Sequence, residues 1–268
     1  MLPILGKPIV ERVMNALCEG GISDFILVVN PKDEEILEHF AERVRFAFQG
    51  EPLGMAHALR CAAHLIEGDF LLAACDSLVS PAHVAELVRC QSREDVSAAL
   101  SLRRVDRLEI SRLSAVGLKE DLVTRIVEKP SPDETPSGIA SLPLYVLPST
   151  ILNYLDEVPL SPRGEYELQD AIQMLIEREG GVRGVFTTWR LDLTRPEDLL
   201  AINRYYLAQG LDAEVVPSAL GVDTEVIPPV RIEEGVSMGK NCVIGPYVYL
   251  ESGSRLGSGV RVEEAVVL

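Results

Sequence analysis

A six-residue beat runs through the last stretch of the chain. Ile232, Met238, Ile244, Leu250, Leu256, Val262 and Leu268 recur every six residues. Two positions ahead of each lies a second row, Val230, Val236, Cys242, Val248, Ser254, Val260 and Val266. Glu or Gly follows every member of the first row up to Val262. One turn of chain cannot bury two aliphatic rows by itself, so successive turns must stack. Strict hexapeptide periodicity of this kind predicts a parallel β-helix, and a β-meander would not hold the count. The pattern runs to the apolar Leu268 without a polar cap. That predicts either a continuation or a second subunit over the end, and hence self-association.

Ahead of the repeat, short apolar runs alternate with amphipathic stretches. After a turn-rich opening (Met1 to Pro8), Ile9, Val10, Val13, Met14 and Leu17 share one helical face, stopped by Gly20-Gly21. Phe25 to Asn30 reads as a buried strand and Glu34 to Arg43 as a polar-faced helix. The stretch Gln49 to Ser77 reads as a loop, a helix from Met55 to Ile66, and a strand from Phe70 to Ala74 covered on both faces. Ser80-Pro81 opens another helix and Val96 to Leu102 is again a strand. This alternation predicts an α/β layer fold with a largely parallel sheet. Such a domain normally opens with a strand and a glycine-rich loop. Here the first helix begins near Ile9 with no strand ahead of it, and neither G-x-G-x-x-G nor G-x-x-x-x-G-K-[ST] occurs. The expectation is an opening strand and loop ahead of the sequence as written.

The composition limits the partners. With 25 Lys plus Arg against 41 Asp plus Glu, the net charge of −16 argues against nucleic acid or an anionic membrane surface. A hydrophobic content of 47% over 268 residues supports a real core and about two domains. No transmembrane-length apolar run and no signal peptide opens the chain, so the expected location is cytoplasmic. Cys18, Cys61, Cys75, Cys90 and Cys242 are odd in number and scattered, as expected of reduced core residues and not of disulfides or a zinc site.

Several polar residues stand where chemistry could occur. Asp76 lies just past the carboxyl end of the Phe70 to Ala74 strand, the place where open α/β sheets bind ligands. It either holds a divalent cation with phosphate oxygens or caps the next helix. Ser114 to Val127 reads as a hairpin turning at Glu120-Asp121, and Leu142 to Leu147 as a strand beyond a polar loop from Ser131 to Ser137. Glu128-Lys129 is either a solvated pair or a phosphate-binding point charge. Glu165 precedes a helix in a glycine turn and is not needed for packing. Asp192 precedes a capping-box-like Thr194 to Glu197, which starts a helix ending at Gly210. It is either a structural acid at a helix start or a second metal carboxylate beside Asp76.

Six stretches, in order and over essentially the whole chain, resemble the sugar-1-phosphate nucleotidylyltransferases that carry a left-handed β-helix tail. The resemblance is to glucose-1-phosphate thymidylyl- or uridylyltransferases and to N-acetylglucosamine-1-phosphate uridylyltransferases, including bifunctional archaeal ones. MLPILGKPIVERV is similar to the segment after that family's signature loop, QGEPLGMAHAL to its base-recognition loop and FLLAACDS to its metal-binding strand. RIVEKP, RGEYELQDAI and WRLDLTRPEDLLAINRYYL are similar to its sugar-phosphate, sugar and second-metal segments.

The resemblance implies a nucleotidyltransferase domain over 1–212, with a Rossmann-like mixed α/β sheet lacking its first strand. A left-handed β-helix of hexapeptide repeats over 213–268 follows, incomplete at its C-terminal end. It implies that Gln49 and the Gly54-Met55 backbone hold the nucleotide base. It implies Mg²⁺ on Asp76 and Asp192, and sugar-1-phosphate on Glu128, Lys129 and Glu165, with Asp76, Lys129 and Asp192 catalytic. The implied substrates are UTP or dTTP and glucose-1-phosphate or N-acetylglucosamine-1-phosphate, and the implied assembly is a homo-oligomer, trimer-based through the β-helix. The sequence departs from the family at Met55, Cys75, Ser114 and Pro143, and it lacks the G-x-G-T-R loop and the lysine that grip the triphosphate. The expectation is an enzyme whose sequence starts short, impaired as written. The alternative is a non-catalytic regulatory or assembly subunit that keeps the pocket. Acyl transfer, common on hexapeptide β-helices, normally needs a histidine base, and His39, His57, His64 and His83 all lie outside the repeats.

Overall fold

A computed structural model describes residues 2–131 and 133–268, without the side chains of residues 107 and 108. Met1 of the expected opening stretch and Pro132 of the expected 131–137 loop lie outside the described residues. In chain order the elements begin β1 (Pro3–Ile4), β2 (Lys7–Pro8), α1 (Ile9–Glu19), β3 (Ile26–Val29), α2 (Glu34–Phe40), β4 (Arg45–Phe48) and α3 (Met55–Ala62). There follow β5 (Phe70–Ala73), β6 (Ser77–Leu78), α4 (Pro81–Gln91), β7 (Ala98–Arg104), α5 (Arg107–Ile110), β8 (Ser114–Lys119), β9 (Leu122–Glu128) and β10 (Ile139–Leu147). Then come α6 (Leu168–Arg178), β11 (Val182–Phe186), β12 (Leu191–Asp192) and α7 (Pro196–Ala208). The chain ends in β13 (Glu214–Val215), β14 (Glu225–Val226), β15 (Val230–Ile232), β16 (Ser237–Met238), β17 (Val243–Ile244), β18 (Val248–Leu250), β19 (Arg255–Leu256), β20 (Arg261–Val262) and β21 (Ala265–Val267). Contacts divide the chain into two compact units. One joins Ala16–Ala74 to Val79–Arg190, and the other joins Met1–Asn15, Cys75–Leu78 and Leu191–Leu268.

The first unit is built on a six-stranded sheet in the order β5-β10-β7-β11-β9-β8. Strand β7 shows how it is covered. Ala98, Leu100 and Leu102 enter the main core with Leu168, Ala171, Ile172 and Leu175 of α6. The alternate residue Ser101 meets His83 of α4, Oγ to Nε2 at 2.8 Å. Successive strand residues point to opposite faces, so α6 and α4 cover the two sides. The expectation of a largely parallel sheet is corrected. Only β11 and β7 run parallel in this sheet, while β10 is antiparallel to β5, β7 and β8. The hairpin β8–β9, turning at Glu120 with φ of 58°, adds a further antiparallel pair. Strands β3 and β4 form a separate parallel pair.

Two strands expected to be buried are half-exposed. Residues Ile26–Val29 and Phe70–Ala73 are all of intermediate burial. The reason is their place in the sheets: β5 is an edge strand and β3 lies in a two-stranded pair. The cysteines are also less buried than expected. All five are free and only Cys242 is buried.

In the second unit, the C-terminal strands stack in three parallel ladders. These are β13-β15-β18-β21, β14-β17-β20 and β16-β19, the arrangement a β-helix requires. Val230 faces Val248, Val243 faces Arg261 and Ser237 faces Arg255. Val230, Ile232, Val236, Cys242, Ile244, Val248 and Leu250 fill the interior. Within the two rows counted from Val230 onward, the six-residue count fails once. Strand β21 sets Val248 against Ala265 and Leu250 against Val267, one residue earlier than the period demands. Val267 therefore joins the core, and Leu268 is 52% exposed.

Helix α7 begins one residue later than its expected capping box. Its N-cap is Arg195, so N3 is Asp198 and not Glu197. Asp198 Oδ2 accepts from Thr194 N at 3.0 Å, Thr194 Oγ1 at 2.9 Å and Arg195 N at 2.8 Å. No helix among the described residues is long and apolar enough to cross a membrane.

Candidate active site

The second unit brings two carboxylates together. β6 and β12 are antiparallel, with Asp192 opposite Ser77 and Leu191 opposite Leu78. Leu193 N donates to Asp76 O at 2.8 Å, extending the ladder past the acid. The buried Ser77 hydroxyl lies 3.1 Å from Asp76 Oδ1 and 2.7 Å from Asp192 Oδ1. Neither acid sits at a helix N-cap: that position is held by Ser80 in α4, as expected though without a side-chain capping bond, and by Arg195 in α7. One hydroxyl proton serves one carboxylate at a time, so the two carboxylates share this donor. Two hard oxygen donors side by side are the kind of ligand Mg²⁺ takes when phosphate oxygens complete its shell. Among the described residues no group of three or more His, Cys, Asp and Glu could hold a metal by itself.

The first unit assembles the other expected residues. Gly54, at φ of 100°, precedes α3. A Cβ there would lie 2.6 Å from Tyr166 O and 2.8 Å from Tyr166 N, so only glycine fits. The approach is fixed by Tyr166 N to Leu53 O at 2.8 Å and Ala56 N to Tyr166 O at 3.0 Å. Gln49, whose Nε2 lies 3.2 Å from Gly54 O, and Met55 are thereby carried beside the Glu165-Tyr166 segment. That segment is a tight turn. Ser161 N donates to Glu165 O, and Gly164, at φ of 79°, donates to Ser161 O, both at 2.9 Å.

Arg163, in this turn, draws the acids together. Its Nη2 lies 2.6 Å from Glu167 Oε1, 3.6 Å from Glu128 Oε1 and 4.0 Å from Glu165 Oε2. Burial works against the guanidinium charge, but the hydrogen bond and charges of these three glutamates outweigh it and raise its pKa. Burial, then the charges of Glu167 and Glu128, push the Asp170 carboxyl up. Lys129 Nζ is 3.7 Å from Glu128 Oε1, and Lys129 itself sits at φ of 42°, a conformation that non-glycine residues adopt at some cost. Ser114, directly opposite Glu128 on the β8–β9 ladder, donates to Glu128 Oε2. Gln169 Nε2 donates in turn to Ser114 Oγ at 2.8 Å.

Sequence reasoning did not single out Ser77, Arg163, Glu167 or Gln169. Arg163 carried a signal, a lone cation beside Glu165 and Glu167, which charge counting along the turn would have caught. Ser77 carried none, because its role depends on a ladder to a residue 115 positions away.

A mixed α/β layer with a Rossmann-like core is the fold of nucleotide-handling transferases. The profile of the family described as Nucleotidyl transferase matches residues 1–209. The chain is 32% identical over 206 residues to the UTP–glucose-1-phosphate uridylyltransferase AglF of Haloferax volcanii, covering 74% of this chain and 83% of that protein. It is 29% identical over 245 residues to the bifunctional protein GlmU of Methanococcus maripaludis, covering 90% of this chain and 56% of that one. It is 29% identical to the low-salt glycan biosynthesis nucleotidyltransferase of Haloferax volcanii, covering 77% of this chain and 59% of that one. The chain thus spans between half and two thirds of two of these relatives. A UDP-glucose pyrophosphorylase complexed with UDP-glucose shares the fold at a TM-score of 0.69 and 19% identity, over 78% of this chain and 90% of that one. The chain belongs to the sugar-1-phosphate nucleotidyltransferase family.

Proposed function

We propose that the protein joins UTP or dTTP to glucose-1-phosphate or N-acetylglucosamine-1-phosphate, giving a nucleotide-sugar and pyrophosphate. Family membership supports the class of reaction. The observation that carries the reading to this chain's residues is the meeting of Asp76 and Asp192 at one hydroxyl, across 115 positions of sequence. A phosphate oxygen of the sugar phosphate attacks the α-phosphorus in line, and the bond to the β-phosphate oxygen breaks. Such a transfer needs positioning and charge neutralisation more than covalent catalysis.

Asp76 and Asp192 hold Mg²⁺ in this reading. Bound there, it would neutralise charge on the α-phosphate and the leaving pyrophosphate. Lys129 grips the attacking phosphate as a point charge. Glu128 and Glu165 accept hydrogen bonds from sugar hydroxyls, with Arg163 limiting the repulsion between them. Gln49 and the Gly54-Met55 backbone hold the base. The division of the chain into a transferase domain over 1–212 and a left-handed β-helix over 213–268 belongs to the same reading. So do a trimer-based assembly through that helix and a cytoplasmic location.

The test is pyrophosphate release from UTP or dTTP with each sugar-1-phosphate, using the protein as its own cells make it, alongside Asp76→Asn and Asp192→Asn. Each substitution should lower the magnesium-dependent rate by about a hundredfold or more while the melting temperature holds. Unchanged turnover in both would remove the acids from the mechanism. No release by the natural protein with any pair would leave the non-catalytic subunit as the better account.

A further inference from the structure

Helix α6 reaches the Glu128 carboxylate through a chain of hydrogen bonds. Gln169, in its first turn and 2% exposed, donates from Nε2 to Ser114 Oγ at 2.8 Å. Ser114 donates in turn to Glu128 Oε2. The direction of the chain is fixed at its far end. A carboxylate only accepts, so the one hydroxyl proton of Ser114 goes to Glu128 and the Ser114 oxygen is left as an acceptor. Of the two ends of the Gln169 carboxamide, only the nitrogen can serve it. The other end, Oε1, is buried without a hydrogen-bond partner among the described residues. A side chain present for packing alone has no reason to carry an orphaned carbonyl into a core, because desolvating it is unfavourable. What the carboxamide contributes is its donor. One turn further along α6, Gln173 Oε1 accepts from Ile126 N at 2.9 Å, two residues before Glu128 on β9. The helix thus holds both the strand and the carboxylate that the strand carries.

We propose that Gln169 is a positioning residue for the sugar site: acting through Ser114, it holds the Glu128 carboxylate in one rotation and so sharpens the choice among sugar-1-phosphate epimers. The inference rests on the transfer reading above, in which Glu128 accepts from a sugar hydroxyl. With Oε2 held by Ser114, Glu128 meets Arg163 and Lys129 through Oε1, at 3.6 Å and 3.7 Å. The terminal torsion of a glutamate is broad when nothing holds it, so a free carboxylate can turn to follow a displaced hydroxyl. A held one accepts only from a hydroxyl that meets its lone pairs, and the wrong epimer leaves it unpaired. Donation into the Ser114 oxygen also polarises its O–H, so losing the Gln169 amide weakens the bond to Glu128 without removing it.

Two substitutions separate this role from simple packing of α6. Gln169→Met keeps most of the volume and removes the donor. Ser114→Ala removes the link through which Gln169 acts. The measurement, on the full natural protein, is the ratio of kcat/KM for glucose-1-phosphate or N-acetylglucosamine-1-phosphate, whichever is used, over its galacto and manno epimers. The KM for the nucleoside triphosphate is followed alongside. The wild type should discriminate by roughly tenfold or more. Gln169→Met should cut the ratio about fivefold, chiefly by raising the KM for the preferred sugar phosphate, with the KM for the nucleoside triphosphate within about twofold of wild type. In the Ser114→Ala background the same substitution should move the ratio by less than about twofold, because the link is already cut. An unchanged ratio in Gln169→Met would overturn the proposal. So would an equal further loss in the Ser114→Ala background, the mark of a residue that merely packs. Should Gln169→Met fail to fold, Ser114→Ala decides: wild-type discrimination in it overturns the proposal, and lost discrimination with an unmoved KM for the nucleoside triphosphate supports it. A wild type that takes the epimers alike sinks only the role of Gln169. One that neither binds nor uses any nucleotide or sugar phosphate sinks the transfer reading as well.

Discussion

The junction between the Gln49–Met55 loop and the Glu165-Tyr166 turn should tolerate no side chain at residue 54. In Gly54→Ala the new Cβ would sit 2.6 Å and 2.8 Å from the Tyr166 backbone oxygen and nitrogen, and main-chain atoms cannot swing aside. The φ of 100° adds a strain of about 1–2 kcal/mol for any L side chain. Relief requires the strands of chain to part, breaking Tyr166 N to Leu53 O and Ala56 N to Tyr166 O. Each of those bonds is worth about 0.5–1.5 kcal/mol. The sum is a loss of about 2–5 kcal/mol. Gly50, where a Cβ would meet nothing within 4 Å and φ is not positive, is the matched control. Trp189, the only tryptophan, lies in the same unit as both glycines, so its fluorescence during urea unfolding reports that unit. Gly54→Ala should lower the midpoint with little change in slope, and Gly50→Ala should move it little. A Gly54→Ala midpoint matching that of Gly50→Ala would refute the close approach, and with it the tie between the Gln49–Met55 loop and the Glu165-Tyr166 turn.

His83 is buried beside Ser101, and burial lowers its pKa below the usual histidine value, against the opposing pull of Glu86 at 3.8 Å. A depressed histidine contributes stability that is present above its unfolded pKa of about 6.5 and is lost as pH falls through the lower folded value. The melting temperature should therefore drop more steeply from neutral to acid pH in the wild type than in His83→Gln; parallel curves would count against it. In the β-helix, Ile244→Ala should cost about 2–5 kcal/mol and Leu268→Ala under about 0.5 kcal/mol, because Ile244 is fully buried and Leu268 is not. Equal losses would mean that the hexapeptide count holds to the end. Arg163→Ala should raise the KM for sugar-1-phosphate about tenfold, with partial rescue by Lys, since Glu128, Glu165 and Glu167 lose their common cation. A KM within twofold of wild type would show that the acids do not need it.

The β-helix was the most legible part of the chain, because its signal is a count of buried side chains and the same side chains build the core. Its one error is instructive. Val266, Val267 and Leu268 are all aliphatic, so a turn shortened by one residue still offers an apolar side chain to either register, and counting cannot tell them apart. Strand direction in the first unit was not legible for a related reason. An apolar run marks a strand but not its neighbour, and β10 pairs with β5, β7 and β8 through a bulge near Pro143 that no local pattern announces. Asp76 could be read from its place after a strand and Asp192 from its place before a helix start; that they meet at Ser77 depends on the β6–β12 ladder.

Ser114 shows how a departure from a family pattern can be read once its neighbours are known. Where the resemblance implies glycine, this hydroxyl donates to Glu128 Oε2 from directly across the β8–β9 ladder. Gln169 then fills an acceptor site of the hydroxyl from α6. One oxygen of Glu128 is thus tied to the sheet, and the other, Oε1, is the one that faces Arg163 and Lys129. A glycine at this position would leave Oε2 without that donor and the carboxylate less fixed in rotation. The serine thus tethers the Glu128 side chain, and a tethered carboxylate presents its remaining lone pairs in a single direction, as the sugar-binding role proposed for Glu128 requires.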